Sequence, residues 1–169
     1  MKRFATIACI GSLLLSLIFV SCENEPVDPA VNLTPVEPPV LPATFRVNFD
    51  GQTFVATQFN AVMNAGVLSI TASKGTQLES LTLAINGTTA GYYPANLNNV
   101  SYSSGTGAPV FQSINPADAT ADTGQVTITS VNEVNHTVSG SFYCTGYYAN
   151  GTNVSTKTFS NGVFTNIHY

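Results

Sequence analysis

The chain has 169 residues, of which 44% are hydrophobic and 8% charged, and its five basic and nine acidic residues leave a formal net charge of −4. Five lysines and arginines cannot track a run of phosphates, so nucleic acid is excluded as a partner. The same scarcity excludes docking on an anionic bilayer by charge alone.

In chain order, the first element is an export leader. Lys2 and Arg3 form a positive start, residues 4–20 an apolar run, and small Ser21 stands before Cys22. Charge, apolar run, small residue and cleavage point in that order mark a secretory signal, and the run is at the lower limit for spanning a bilayer. Phe19-Val20-Ser21-Cys22 resembles a lipobox, with Phe19 where leucine is commoner. The resemblance implies cleavage between Ser21 and Cys22 and acylation of Cys22, including palmitate. Each buried lipid methylene contributes about 0.8 kcal/mol, so a cysteine with two or more chains is a durable membrane anchor.

Residues 22–43 follow as an acidic tether holding six of the nine prolines. Proline lacks an amide donor and favours extended polyproline II, so this segment reads as a spacer. Glu23-Asn24-Glu25 directly after the cysteine resembles the acidic surface-export signal of some Bacteroidota lipoproteins. It implies an outer-membrane location, with the cell surface favoured over the periplasmic face.

Residues 44–169 form the expected folded domain. Phe45-Arg46-Val47-Asn48-Phe49 alternates apolar and polar, then runs into Asp50-Gly51, a pair suited to a hairpin turn with positive φ. A second strand is predicted over 53–63, ended by Asn64-Ala65-Gly66. Strands over 67–73 and 78–85 follow, the latter closed by Asn86-Gly87. Weaker strands lie near 92–93, 100–103 and 110–114. The last group spans 125–131, 137–148, 154–159 and 162–168, with turn pairs at Asn150-Gly151 and Asn161-Gly162. No helical periodicity interrupts them. The expected fold is all-β, a single antiparallel β-sandwich or flattened meander barrel of roughly 8–10 short strands.

Cys9 leaves with the leader and Cys22 carries lipid, so Cys144 alone remains in the domain and no internal disulfide is expected. Val138, Gly140, Phe142 and Cys144 share one face by strand alternation, which reads as a buried thiol.

Five further segments are similar to an uncharacterised all-β domain family of Bacteroidota lipoproteins. They are Phe49-Asp50-Gly51-Gln52-Thr53-Phe54, Gly91-Tyr92-Tyr93, Gly124-Gln125-Val126-Thr127-Ile128-Thr129, Val138-Ser139-Gly140-Ser141-Phe142 and Asn161-Gly162-Val163-Phe164. The resemblance covers residues 44–169 and implies a fold and an anchor, with no catalytic residue to carry over.

Other patterns resolve into ordinary turn chemistry. Asp122-Thr123-Gly124 matches an aspartic-protease triplet, but that chemistry needs two such carboxylates and the chain has one copy. Asp118, Thr120 and Asp122 have the spacing of a calcium loop without its glycine at the sixth place or acid at the twelfth. No metal or other cofactor is expected. His136 and His168 have no ligand-spaced partner, and no Gly-x-Ser-x-Gly elbow occurs. Seven tyrosines stand against no tryptophan. Tyr143, Tyr147 and Tyr148 are the candidates for stacking on a sugar or a partner protein.

The leading expectation is therefore a lipid-anchored, non-catalytic binding or surface-structural module contacting a glycan or another envelope protein. Two alternatives stay open. One is a small hydrolase using His136 or His168 with Asp50, Glu79, Asp118, Asp122 or Glu133. The other is a barrel-like carrier of a small apolar ligand.

Overall fold

The computed structural model describes residues 42–76 and 78–169. The expected leader, Cys22 and all but the end of the tether lie outside the described residues. Every regular element described is a strand: β1 Thr44–Phe49, β2 Gln52–Val55, β3 Gln58–Asn64, β4 Val67–Lys74, β5 Glu79–Ile85, β6 Gly91–Pro94, β7 Asn99–Ser103, β8 Val110–Gln112, β9 Gly124–Asn132, β10 Thr137–Asn150 and β11 Asn153–His168. All pairings are antiparallel, and the main path runs β2-β1-β11-β10-β8-β7-β5-β4-β3. An all-β antiparallel fold is the outcome.

The connectivity forces the sheet to curl. β2 and β3 stand at opposite ends of the path, yet only Ala56 and Thr57 separate them. The Ala56 amide donates to Phe45 O in β1 at 3.0 Å, and the Thr57 amide donates to Ser73 O in β4 at 2.9 Å. A two-residue link that bonds to both ends requires those ends to meet. The expected single strand over 53–63 is therefore two, broken where the chain passes from one end of the sheet to the other. The concave side encloses the core, with Phe45, Phe54, Phe159, Phe164, Leu68, Leu81 and Ile128 at most 1–2% exposed. Each such side chain contributes about 1.5–3 kcal/mol by leaving water.

Two bulges bend β11. Between Phe142↔Gly162 and Cys144↔Phe159, one residue of β10 faces two of β11, and the same slip recurs between Val138↔Ile167 and Gly140↔Phe164. Asn161 and Asn166 sit in these bulges with φ of 52° and 48°, a region that asparagine tolerates better than other side chains. The Asn161-Gly162 pair expected as a turn is thus a bulge, and the two segments it was to separate are one strand of 16 residues. β10, with 14 residues, is also longer than a typical short strand. The described residues hold eleven strands, one more than the top of the expected range. Gly162 leaves room for the core: a Cβ there would stand 2.6 Å from the Phe142 ring.

β10 carries a fork. Along residues 137–144 it pairs β9, which in turn pairs β6, while Tyr147 further on pairs Gln112 of β8. A buried polar hub holds the two branches together. Ser113 Oγ accepts the Val100 amide at 2.9 Å and donates to Ala95 O at 2.7 Å. The Asn98 side chain accepts the Asn86 amide at 2.6 Å and donates to Pro94 O at 2.8 Å. Backbone groups at the strand ends and in the intervening loops are satisfied this way, which accounts for two of the buried polar residues, Asn98 and Ser113.

Candidate functional site

Residues paired directly across a ladder point to the same side of a sheet, so register defines what the convex face presents. Tyr92 pairs Thr127, Thr127 pairs Ser141, Ser141 pairs Val163 and Val163 pairs Arg46. The neighbours of this row, Val126, Phe142, Phe164 and Val47, are buried, which confirms that the row points outward. Tyr143 and Gln125, themselves paired, stand two positions along on the same side. Tyr92 is 77% exposed and Tyr143 55%. They lie two strands and two residues apart, about 12 Å between Cα atoms at ordinary sheet spacings.

Tyr143 stands between two hollows. One is an open groove of about 960 Å³ over β1, β10 and β11, lined by Arg46, Asn48, Ser141, Thr158, Ser160 and Asn161 among others. The other, about 320 Å³, is bordered by Asn96, Leu97, Thr120, Asp122 and Gln125. The groove contains the bulge at Asn161, where the ladder is interrupted. Thr53 Oγ1 donates to Asn48 Oδ1 at 2.9 Å on its flank. An aromatic ring with hydroxyl and amide neighbours on an open sheet can stack on and hydrogen-bond to a ligand.

The three tyrosines singled out from the sequence do not form one surface. The bulges fall on β9 and β11, so alternation along β10 is unbroken. Tyr147 shares the outward side with Tyr143, four residues away. Tyr148 points the other way and packs against Phe111 at 6.0 Å between ring centres. Tyr92, which strand propensity alone did not distinguish, belongs with Tyr143 because of the β6–β9 pairing.

A second polar cluster closes one end of the core. The Lys157 ammonium lies 4.9 Å from the Phe49 ring centre and 5.5 Å from those of Tyr102 and Phe111. It is ion-paired with Asp50. The Tyr102 phenol donates to Glu79 Oε1 at 2.8 Å. Burial first, then that hydrogen bond and the nearby negative charge, hold Tyr102 protonated well above the ordinary phenol range. Burial also pushes the Cys144 thiol up to about 12.

Of the residues weighed for hydrolysis, His136, His168 and Glu133 share one end of the sheet, and the other four carboxylates lie elsewhere. His136 sits in the β9–β10 turn with its ring centre 5.7 Å from that of Tyr169 in an edge-to-face arrangement, and His168 pairs Thr137 beside it. Glu133 shares that turn. Asp50 and Glu79 belong to the Lys157 cluster, eleven residues along β11 from His168, roughly 35 Å in an extended strand. Asp118 accepts the Thr120 hydroxyl and amide, and these bonds lower its ionisation below the usual carboxylate range. Asp122 accepts the Gly124 amide at 3.0 Å. Both carboxylates therefore cap their own loop. Among the described residues, no group of three or more His, Cys, Asp or Glu is placed to hold a metal ion.

No curated protein and no solved structure matches the chain. Residues 42–168 match the model of a domain of unknown function, DUF6252, and the chain belongs to that family.

Proposed function

We propose that the domain is a non-catalytic binding module, held at the outer membrane by lipid on Cys22, that presents the Tyr143 face to a glycan. The observation that carries this reading is Tyr143 itself, more than half exposed on a ridge between two hollows. A large exposed aromatic on the outer side of a sheet loses apolar contact with nothing in the fold to replace it, and a sugar ring replaces it well. The surrounding serine, threonine and asparagine side chains match the hydroxyls of a saccharide. Tyr92 extends the same face, as a chain of several sugars requires.

The anchor draws its support from the leader and from the cysteine at its end. Cys22→Ala abolishes lipid labelling and releases the protein from membranes; persistent labelling refutes the anchor. Protease treatment of intact cells then separates the two faces of the membrane, since a surface domain is digested and a periplasmic one is protected. For the binding site, Tyr143→Ala lowers retention in a polysaccharide affinity gel about tenfold, equivalent to about 1.4 kcal/mol. Unchanged retention, or binding only to an envelope protein, overturns the glycan reading.

A further inference from the structure

We infer that the ligand of the groove is an acidic saccharide, one bearing a uronic-acid carboxylate, and that Arg46 is the residue that reads the acid. The inference rests on the glycan reading and deepens it.

Charge placement is the first argument. Residues 42–169 carry three cations, Arg46, Lys74 and Lys157, against five acids. Lys157 is consumed by Asp50 and by three aromatic rings. Arg46, exposed on β1, has no salt bridge to a described residue. The twelve residues lining the groove include Arg46 and no aspartate or glutamate. In a domain with more acids than bases, an acid-free hollow with one guanidinium unpaired among the described residues is complementary to an anion.

The kind of anion follows from the other lining groups. Arginine presents a planar fork that matches a carboxylate with two parallel N–H···O bonds. One such fork, with no second cation beside it, suits a single carboxylate better than a run of phosphates. Ser141, Thr158, Ser160, Asn161 and Asn48 supply neutral donors and acceptors, the chemistry of sugar hydroxyls. Arg46 and Tyr143 are separated by two strands and two residues, about 12 Å between Cα atoms. A long arginine and a broad ring therefore approach each other over a short oligosaccharide, with the acid at one end and a stacked sugar at the other.

The test uses the full chain in detergent, titrated with an oligogalacturonate and with its neutral methyl ester by calorimetry. The wild type is expected to bind the acid at least tenfold more tightly than the ester, with the preference shrinking as salt rises. Arg46→Gln weakens binding of the acid far more than of the ester and so removes the preference, while Tyr143→Ala weakens both. Arg46→Lys keeps charge but not the fork and recovers only part of the preference. Equal wild-type binding of acid and ester, or a preference that survives Arg46→Gln, overturns this inference and leaves the glycan reading standing. Binding of neither overturns both readings. An acidic peptide that binds through Arg46 where saccharides do not also overturns it.

Discussion

Arg46 and Lys157 carry the same charge on neighbouring strands and are used in opposite ways. Lys157 lies on the concave side at the end of the core, sheathed by Phe49, Tyr102 and Phe111 and neutralised by Asp50. Arg46 lies on the convex side among hydroxyls and amides with no described acid in reach. The first cation is satisfied by the fold, so its loss is felt as stability. The second is left for a ligand, so its loss is felt as binding. In a domain this poor in charge, where a cation points separates structural from functional use.

Variants break this contrast in order of size. Phe159, 2% exposed, packs 5.4 Å from Phe49 and 5.5 Å from Tyr102 beneath the lysine. Phe159→Ala is expected to cost about 3–5 kcal/mol in urea unfolding, the upper range for a core truncation. Lys157→Ala leaves the rings without their cation and Asp50 without its partner, for about 1–2 kcal/mol. Asp50→Asn costs less, about 0.5 kcal/mol, because that carboxylate is half-exposed and screened by water. Arg46→Gln should stay within about 0.5 kcal/mol of the wild type, as befits an exposed side chain with no partner. If Arg46→Gln destabilises as much as Lys157→Ala, the contrast fails.

Alkaline titration sharpens the same division. Cys144 and Tyr102 both have folded-state ionisation raised above the unfolded value. A group shifted upward lends stability that is complete below its unfolded pKa and lost as pH rises towards the folded one. Stability should therefore fall from about pH 8.5, where unfolded thiols ionise, and more steeply from about pH 10, where unfolded phenols do. Cys144→Ala removes the first part of that slope and Tyr102→Phe the second; an unaltered slope in both variants refutes the assignment. In the native protein Cys144 should resist alkylation and react only on denaturation, since a buried neutral thiol is a poor nucleophile.

Much of the fold was legible because alternation is a local signal. Asp50-Gly51 and Gly66 take the positive φ their residue types tolerate, and the predicted face Val138, Gly140, Phe142 and Cys144 is buried throughout. Two local readings misled. Asn161-Gly162 has the chemistry of a hairpin turn, but a bulge requires the same left-handed backbone, and only the flanking ladders tell them apart. Residues 53–63 look continuous because no turn residue marks the break, although the inward positions change phase from Phe54 and Ala56 to Phe59 and Ala61 across it.

The candidate site was less legible. Tyr143 was identifiable as outward-facing from its own strand. Its grouping with Tyr92 and Arg46 depends on four ladders joining residues far apart in the chain, and on β9 and β6 branching from β10. The sequence by itself determined strand class, the outward or inward side of each residue within its strand, and the scarcity of charge. Those properties follow from period-two alternation and composition, which need no partner. Which strands pair, where β11 bulges, and that Lys157 is ion-paired while Arg46 has no salt bridge among the described residues were decided only by the tertiary structure. Register is a relation between distant segments, and no single segment encodes it.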